Sequence, residues 1–443
     1  MSASLLLSLV LTATPIKLED VRTQSRQNVQ ALQAVLEQQS AAQGVVGARS
    51  ALLPQLSLST GASRTFQGPQ RNIVTLPDPA NPEGFLEQER ESAGLNRNSF
   101  DLSASLTQLI FDGRRWAELR QSGALAEAAK GEAVEQQATS ELEAIRRFFA
   151  LYGQQARIDV LRATVKRSEE QLERARALFE AGRAARSEAI SAQVNLGNDR
   201  INLLQAERDL VLAQADLAVW LAASGTEELQ AVDPGILGVK PEPPPAYESL
   251  LSEARTQRPL LVALESRVRA ATAGVSAQRW DYLPRLSAQA RYSRGGNAVD
   301  PVFTDPSLQN NLTVGVNLSW DLFNGFGTTA AVRQAEYARS RAQLDFAQAE
   351  RDLQAEVRRA LQTLTTQIAT TELATANLEA ATLGLSIEEE RFKAGAGSTL
   401  EVRDAQLKLT QAQLDLLTNR IDVENARYAL QRATGMLSTG ETK

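Results

Sequence analysis

Two hydrophobic periodicities alternate along this chain, one with a period of two residues and one with a period of about 3.6. Apolar and polar residues alternate strictly from Ser99 to Thr107, and the same alternation runs from Leu312 to Leu322. Shorter alternating runs follow Leu53-Pro54 and Leu283-Pro284. The alternation predicts four strands, each with one apolar and one polar face, at about 54–66, 98–110, 284–294 and 311–322.

Each predicted strand has about ten residues, the length that spans an outer membrane when the strand is tilted. A soluble sheet of two hairpins, each with one wet face, is the alternative. Four strands do not close a barrel, and an open sheet edge is not tolerated in lipid because its backbone groups would stay unpaired. If these strands lie in a membrane, several protomers must therefore share one barrel.

Long helices are predicted for most of the remaining chain. The 15 prolines fall within 15–82 and 234–306, which leaves the proline-free blocks 83–233 and 307–443, rich in strong helix formers. Each block predicts a helical hairpin, in which a helix of about 68 residues is followed by a glycine turn and a helix of roughly 40 residues. The first helices are expected to begin near residues 114 and 328.

The second helix of each hairpin carries apolar residues spaced by seven. The ladder comprises Leu196, Leu203, Leu210 and Leu217 in one hairpin and Leu409, Leu416, Val423 and Leu430 in the other. A further ladder, on nearly the opposite side of the last helix, comprises Leu407, Leu414, Ile421 and Tyr428. A strict seven-residue spacing of apolar residues predicts coiled-coil packing. Two opposed seams predict a neighbouring helix on each side, as in a wall or tube of helices.

Three short motifs recur in the same order in the two halves of the chain. They are Leu-Pro-x-Leu-Ser at 53 and 283, Phe-Asp/Asn-Gly at 111 and 323, and Phe-x-Ala-Gly at 179 and 392. The offsets of 230, 212 and 213 residues predict a connecting loop about 18 residues longer in the first copy. We predict a signal peptide at 1–14, a first repeat at 15–233, a Pro-rich linker at 234–245 and a second repeat at 246–443.

Composition excludes most catalytic chemistry. The chain has no cysteine and no histidine, which removes thiol nucleophiles, the usual zinc and haem ligands, and Ser-His or Cys-His pairs. A net charge of −6 gives no bulk attraction to nucleic acid, and no run of 18 apolar residues occurs. The glycine motif at 325–330 follows an alternating strand, so it predicts a turn and not a nucleotide site. We expect no enzyme activity, no cofactor and no nucleic-acid partner.

Taken together, these features resemble the TolC-type outer-membrane efflux protein family, the outer membrane factors, over nearly the whole chain. The resemblance rests on the duplicated motifs, the paired strands and the segment 398–406, which is similar to that family's hairpin-tip motif. It implies a mixed α and β membrane protein of the Gram-negative outer membrane that extends into the periplasm. Four strands from each protomer of a homotrimer would form a 12-stranded antiparallel β-barrel, continued by a long α-helical periplasmic barrel.

The resemblance also implies a function and partners. The chain would be the exit duct of a tripartite efflux or type I secretion system, passively conducting small molecules or unfolded protein out of the periplasm. Its partners would be outer-membrane lipid, a periplasmic adaptor (membrane fusion) protein and an inner-membrane transporter of the RND or ABC type. The alternative from another class is a soluble, elongated coiled-coil scaffold protein.

Two acidic residues are implied to line the periplasmic aperture of such a duct. Glu401 and Asp404 are three residues apart near the start of a predicted helix, so they share a face there. Stabilisation of the first helical turn explains them equally well, because the helix dipole favours anions at this end. In a trimer they would form a ring of six carboxylates, which selects cations and is plugged by polyvalent ones.

A third acidic residue, Glu188, matches a position that the family uses in a gating link between helices. Its partners in the family are a Tyr and an Arg, and this sequence has Phe392 and Gly397 instead. The hydroxyl and the guanidinium are missing, which puts this link in question. The arginines that could replace the missing partner are Arg183, Arg186 and Arg403.

The two hairpin turns are implied to be the docking surface for the adaptor, because small residues there allow helix ends to approach closely. A bulky replacement of Gly182 or Gly395 would then abolish transport and leave the trimer intact. The residues assigned to this surface are Phe179, Ala181, Gly182, Ser187, Phe392, Ala394, Gly395, Ser398 and Leu400.

Overall fold

The computed structural model describes residues 14–78, 81–223, 228–235, 243–304 and 310–439. The predicted signal peptide at 1–14 therefore lies outside the described residues except for Thr14, as do residues 236–242 of the predicted linker. Pro243, Pro244 and Pro245 belong to no helix or strand, because proline has no backbone N–H to donate.

Helices make up most of the described chain. They are α1 (Leu18–Gln24), α2 (Val29–Ser50), α3 (Gly113–Glu180), α4 (Arg186–Trp220), α5 (Tyr247–Gln257), α6 (Pro259–Trp280), α7 (Asp300–Phe303), α8 (Gly327–Lys393), α9 (Thr399–Thr434) and α10 (Met436–Thr439), with a 3-10 turn at Ser25–Gln27. The longest two, α3 and α8, have 68 and 67 residues, and each forms a hairpin with the helix that follows it. None of the described helices combines the length and apolar character needed to cross a membrane.

The described residues contain eight strands in three sheets. The strands are β1 (Thr14–Ile16), β2 (Gln55–Gln67), β3 (Gln70–Asp78), β4 (Asn81–Ser92), β5 (Leu95–Phe111), β6 (Leu229–Ala231), β7 (Arg285–Gly296) and β8 (Asn310–Ser319). The largest sheet is antiparallel with the order β2-β5-β7-β8, and the other two sheets pair β1 with β6 in parallel and β3 with β4.

Two features of the strands differ from the sequence prediction. The strand predicted at 311–322 ends at Ser319, because Ser319 already lies opposite Arg285, the first residue of its only described neighbour, β7. The longer connection predicted between β2 and β5 is not a loop but the hairpin of β3 and β4. Ile73 and Val74 are adjacent in β3, which breaks the period-two pattern that reveals the other strands.

The register of the four-stranded sheet separates an apolar face from a polar face. One row across the four strands is Leu56, Leu106, Ala290 and Val314, and the next row is Ser57, Ser105, Arg291 and Thr313. Because successive side chains point to opposite faces, the first row lies on an apolar face and the second on a polar face. On the apolar face, Leu56 is 77% and Val314 73% exposed.

The chain divides into two compact units. The helical unit comprises Met1–Ala41, Leu125–Val268 and Arg341–Lys443, and the sheet unit comprises Ala42–Ala124 and Arg269–Ser340. In the helical unit, Val423 and Leu430 of the first ladder pack against Val357 of α8. Ile421 and Tyr428 of the other ladder pack against a cluster that includes residues of α3. Helix α9 therefore has a neighbouring helix on each side, as its two apolar seams predict.

Candidate functional site

Each helical hairpin turns on a glycine in the left-handed region of backbone space. Gly182 has a φ of 70° and Gly395 a φ of 75°. Beyond Gly182, the amide of Arg183 donates to the Leu178 carbonyl at 2.8 Å and so closes the end of α3. Nothing lies within 4 Å of a Cβ added to either glycine. Within one chain these glycines serve the backbone turn, and the space around them is open.

The residues assigned to the adaptor surface are mostly exposed at these two turns. Phe179 is 42% and Leu400 76% exposed. Phe392 is the exception, because it is half-buried against the cluster that contains Leu385 and Val402. The exposed small and polar members are Ala181, Gly182, Ser187, Ala394, Gly395 and Ser398.

Glu401 is held in a capping box at the start of α9. Its Oε2 accepts the Ser398 backbone amide at 2.7 Å, and the Glu401 amide donates to Ser398 Oγ at 3.3 Å. The hydrogen bond from the Ser398 amide, with a second from the Ser398 hydroxyl, lowers the pKa of the Glu401 carboxyl. Glu401 therefore stabilises the first turn of the helix and stays ionised while it does so.

Asp404 lies one turn further along α9 and pairs with Lys408 of the same helix, with the carboxylate and ammonium 2.6 Å apart. Hydrogen bonding to Asp404, together with its charge, raises the pKa of Lys408, so the ammonium is charged at neutral pH. Both side chains are exposed, and an exposed pair of this kind is weak and screened by salt. Lys408 nevertheless offsets part of the negative charge that Asp404 brings to this surface.

Glu401 and Asp404 line one groove between α8 and α9, with a volume of about 740 Å³. The α8 side of the groove contains small residues, including Ala381 and Gly384, which leave room between the helices. The two predicted aperture residues thus share one open face of the second hairpin.

Glu188 lies elsewhere, in a cleft of about 530 Å³ between the ends of the two hairpins. Arg183 lines the cleft on the side of the first hairpin, and Phe392 and Arg403 line it on the side of the second. Among the described residues, the Glu188 side chain has no hydrogen bond or ion pair. The described residues of one chain thus supply no side-chain partner to Glu188.

Arg403 makes the bridge between the hairpins. Its Nη1 and Nη2 donate to the two carboxylate oxygens of Asp199, both at 2.8 Å, and Nη1 also donates to Ser168 Oγ at 3.1 Å. The Ser168 hydroxyl donates to Asp199 in turn. The Arg403 and Asp199 side chains are only 9% and 5% exposed. Of the three arginines considered from the sequence, Arg403 is the one that joins α9 to α3 and α4, through a bidentate buried ion pair.

A second polar layer lies about two helical turns from Arg403. Thr164 Oγ1 of α3 is 3.1 Å from Thr410 Oγ1 of α9, and Arg167 donates to Thr164 at 2.9 Å. Burial lowers the pKa of the Arg167 guanidinium, which still leaves it charged at neutral pH. We use the name polar seam for the set Arg403, Asp199, Ser168, Thr410, Thr164 and Arg167.

Asp199 is absent from the residues predicted from the sequence, although the ladder contains a signal for it. It stands three residues after Leu196 and four before Leu203, which is a core position of the heptad. A carboxylate at a core position is costly unless a buried cation or donor pairs with it. That argument predicts a buried partner for Asp199 but does not say which helix supplies it.

Comparison with known proteins places this architecture in context. The model of the family described as outer membrane efflux protein matches residues 21–223 and 250–436. The chain is 25% identical over 425 residues to outer membrane protein TolC of Vibrio cholerae, covering 95% of this chain and 91% of that protein. It is 23% identical over 413 residues to the alkaline protease secretion protein AprF of Pseudomonas aeruginosa, covering 92% and 82%. The fold is similar to the CmeC outer membrane channel of Campylobacter jejuni, with a TM-score of 0.78 at 17% identity, covering 94% and 85%.

The family match, on a fold of two long helical hairpins and a four-stranded sheet, places the chain in the class of outer-membrane efflux proteins. The chain belongs to the outer membrane efflux protein family. The resemblance predicted from the sequence is thereby confirmed, as are the outer-membrane location and the role of an exit duct in efflux or secretion. A soluble coiled-coil scaffold does not account for these matches.

Proposed function

We propose that three copies of this chain form the duct, with their sheets closing one 12-stranded barrel and their long helices forming the periplasmic part. The four-stranded sheet carries this proposal. Among the described strands, β2 pairs only with β5 and β8 pairs only with β7, so both edges are open. An open edge is unfavourable in lipid, and pairing β8 of one copy with β2 of the next removes every edge.

The helical unit supports the same assembly. One side of α4 carries an apolar stripe of residues that are each more than half exposed: Ile190, Val194, Ile201, Leu204, Val211 and Val219. Their spacings of three, four, seven and eight residues put them on one helical face. A stripe of this length is costly in water, and the helices of a neighbouring copy would cover it.

The lipid-facing role is tested by Val316→Arg, which places a charge on the apolar face where Val316 is 70% exposed. We expect a loss of about 2–4 kcal/mol of stability in lipid vesicles, because an arginine at mid-bilayer is poorly solvated. Asn317→Arg is the matched control, since the neighbouring residue of β8 lies on the polar face. Equal tolerance of both changes would argue against a membrane sheet.

In detergent, the native mass should be three times the 48.1 kDa of one chain.

We further propose that the hairpin turns dock a periplasmic adaptor, which couples the duct to an inner-membrane transporter of the RND or ABC type. The exposed turns around Gly182 and Gly395 support this, because they are open to a partner. The cargo class remains small molecules or unfolded protein, passing outward without catalysis.

Replacement of both turn glycines separates docking from folding. Changing each to Ala strains the turn by roughly 1 kcal/mol without adding bulk, because φ is positive there. Changing each to Leu adds the same strain and a side chain that would block docking. We expect the Leu variant to lose transport with its pore conductance intact, and the Ala variant to keep most transport. Equal loss in both would assign these glycines to the turn alone.

The closing role that Glu188 has in the family is, in our proposal, carried by Arg403 and Asp199. The buried bidentate pair joins the two hairpins near their ends, where the duct would narrow. The aperture itself would be lined by Glu401 and Asp404 of the three copies. Single-channel recording of Asp199→Asn tests this closing role.

A further inference from the structure

The four strands of the large sheet carry a charge opposite to that of the whole chain. They contain five arginines and a single carboxylate, Asp101, whereas the chain has a net charge of −6. Because successive side chains of a strand point to opposite faces, these arginines are distributed over both faces of the sheet. The arginines are Arg64, Arg97, Arg285, Arg291 and Arg294.

Four of the five arginines are engaged by neighbours. Arg64 lies 4.9 Å over the ring of Phe66, and Arg285 pairs with Asp321 at 3.0 Å. Arg97 donates to Asn297 at 2.7 Å. Arg294 is buried and donates to a backbone carbonyl at 2.6 Å. These contacts assign the four side chains to local structure.

Arg291 is different. It lies near the middle of β7 on the polar face, opposite Ser105 of β5 and Thr313 of β8. It is exposed, and among the described residues its side chain has no hydrogen bond or ion pair. The carboxylate of the four strands, Asp101, is four residues along β5 from Ser105, about 13 Å away along the strand.

The surroundings of Arg291 are hydroxyl groups. Ser57 Oγ lies 2.7 Å from Ser105 Oγ, and in the next row of this face Ser59 Oγ lies 2.8 Å from Ser103 Oγ. Hydroxyl groups are neutral and hydrogen-bond to anions and cations alike. The guanidinium therefore determines the sign of the local electrostatic field. A guanidinium with five donors is the side chain best matched to carboxylate, sulfate and phosphate groups.

We propose that Arg291 is an anion-binding selectivity residue of the duct. This inference rests on the proposed trimeric barrel, in which three Arg291 side chains face one lumen from equivalent strands. Their ring attracts anions, and ionised cargo that carries carboxylate, sulfate or phosphate groups is favoured in this section. The duct then has two zones of opposite sign, acidic at the hairpin turns and basic within the sheet.

Reversal potentials under a KCl gradient test this inference in planar bilayers. Glu401→Gln with Asp404→Asn serves as the background, so that the acidic zone does not mask the basic one. In this background Arg291→Gln should lower the permeability ratio of chloride to potassium by about tenfold, the lower end of the range by which surfaces lined with charge of one sign concentrate counter-ions. Arg64→Gln is the matched control, because it removes the same charge from the opposite face of the same sheet.

A cysteine variant provides a second, independent readout. The chain has no cysteine, so Arg291→Cys introduces one thiol per protomer. A thiol reagent that attaches an ammonium group should restore the chloride preference, and one that attaches a sulfonate should reverse it. This variant adds no bulk to the polar face, and the native mass verifies its assembly.

The outcomes separate this inference from the proposed function. A channel that conducts but shows the same permeability ratio for Arg291→Gln and Arg64→Gln would overturn the role of Arg291 and leave the duct standing. Failure of both reagents to alter the ratio would have the same meaning. A native mass in detergent of one chain and not three would overturn the trimeric duct and this inference with it.

Discussion

The seam between the two helical hairpins has two parts of opposite chemical character. Far from the turns, Phe149 of α3 and Tyr428 of α9 pack with ring centroids 6.2 Å apart, and the half-buried Tyr428 lies against a cluster of buried apolar residues that contains Phe149. Closer to the turns, the polar seam joins the hairpins: Thr164 of α3 faces Thr410 of α9, and Arg403 of α9 reaches Asp199 of α4. One pair of hairpins is thus joined by apolar contacts at one end and by charges and hydroxyls at the other.

The difference teaches which part of the interface is able to open. Separating apolar surfaces costs free energy in proportion to the exposed area, and nothing in water replaces the lost packing. Separating a buried ion pair also has a cost, but both charges regain their hydration, which offsets much of it. We therefore expect the apolar part to act as a permanent joint and the polar seam to be the part that opens while the fold persists.

The largest expected effect comes from breaking the apolar joint. Phe149→Ala should lower the free energy of unfolding by about 3–5 kcal/mol, because it leaves a cavity where the side chain is fully buried. Urea unfolding of the purified protein measures this loss. Channels that still assemble should conduct like the parent. A loss below about 1 kcal/mol would mean that this cluster is not the permanent joint.

Breaking the polar seam should open the duct with a smaller loss of stability. Asp199→Asn leaves Arg403 buried without a counter-ion, a cost of about 3 kcal/mol that hydration after opening relieves. We expect larger single-channel conductance as the hairpin ends separate. Asp199→Leu with Arg403→Leu is the control, because an apolar pair keeps the ends together and is neutral or stabilising. Unchanged conductance in Asp199→Asn would remove the seam from the gate.

The next largest effect concerns the groove near the turns that Glu401 and Asp404 line, where the charge can be changed by substitution. Glu401→Gln with Asp404→Asn should weaken block by a trivalent cation by orders of magnitude, because up to six charges leave a narrow opening. Lys408→Gln should strengthen the block about tenfold for each lysine removed, the Coulomb effect of one unit charge on a trivalent ion about 8 Å away in water. Without histidine, the block should vary little between about pH 6 and 8. Equal block in parent and double variant would reduce these carboxylates to helix stabilisers.

The smallest effect concerns the capping box of Glu401. Its folded pKa lies below the ordinary value of 4.5, so its stabilisation is present above that value and is lost as the pH falls through the lowered folded pKa. The protection of the first-turn amides of α9 against hydrogen exchange should therefore fall only in acid. Glu401→Gln has no carboxylate to protonate, so its exchange should lack this acid-dependent change. Acceleration near neutral pH would contradict the assignment.

Much of this architecture could be predicted because it depends on local patterns. Period-two alternation reveals β2, β5, β7 and β8, and the glycines at 182 and 395 mark the turns because a positive φ favours glycine. The hairpin of β3 and β4 escaped prediction, since its strands lack a continuous alternation and are stabilised by pairing with each other. Capping of α9 by Ser398 and Glu401 is equally local and visible in their spacing of three.

The sequence by itself determined the two kinds of helical seam, because spacings of seven place the same residues on one face of a helix whatever its neighbours are. It also placed Asp199 at a core position. Only the tertiary structure decided that Arg403 and not Arg183 or Arg186 reaches this carboxylate. The choice depends on how the two hairpins align along each other. That alignment is determined by packing between residues more than 200 positions apart, which no local sequence pattern predicts.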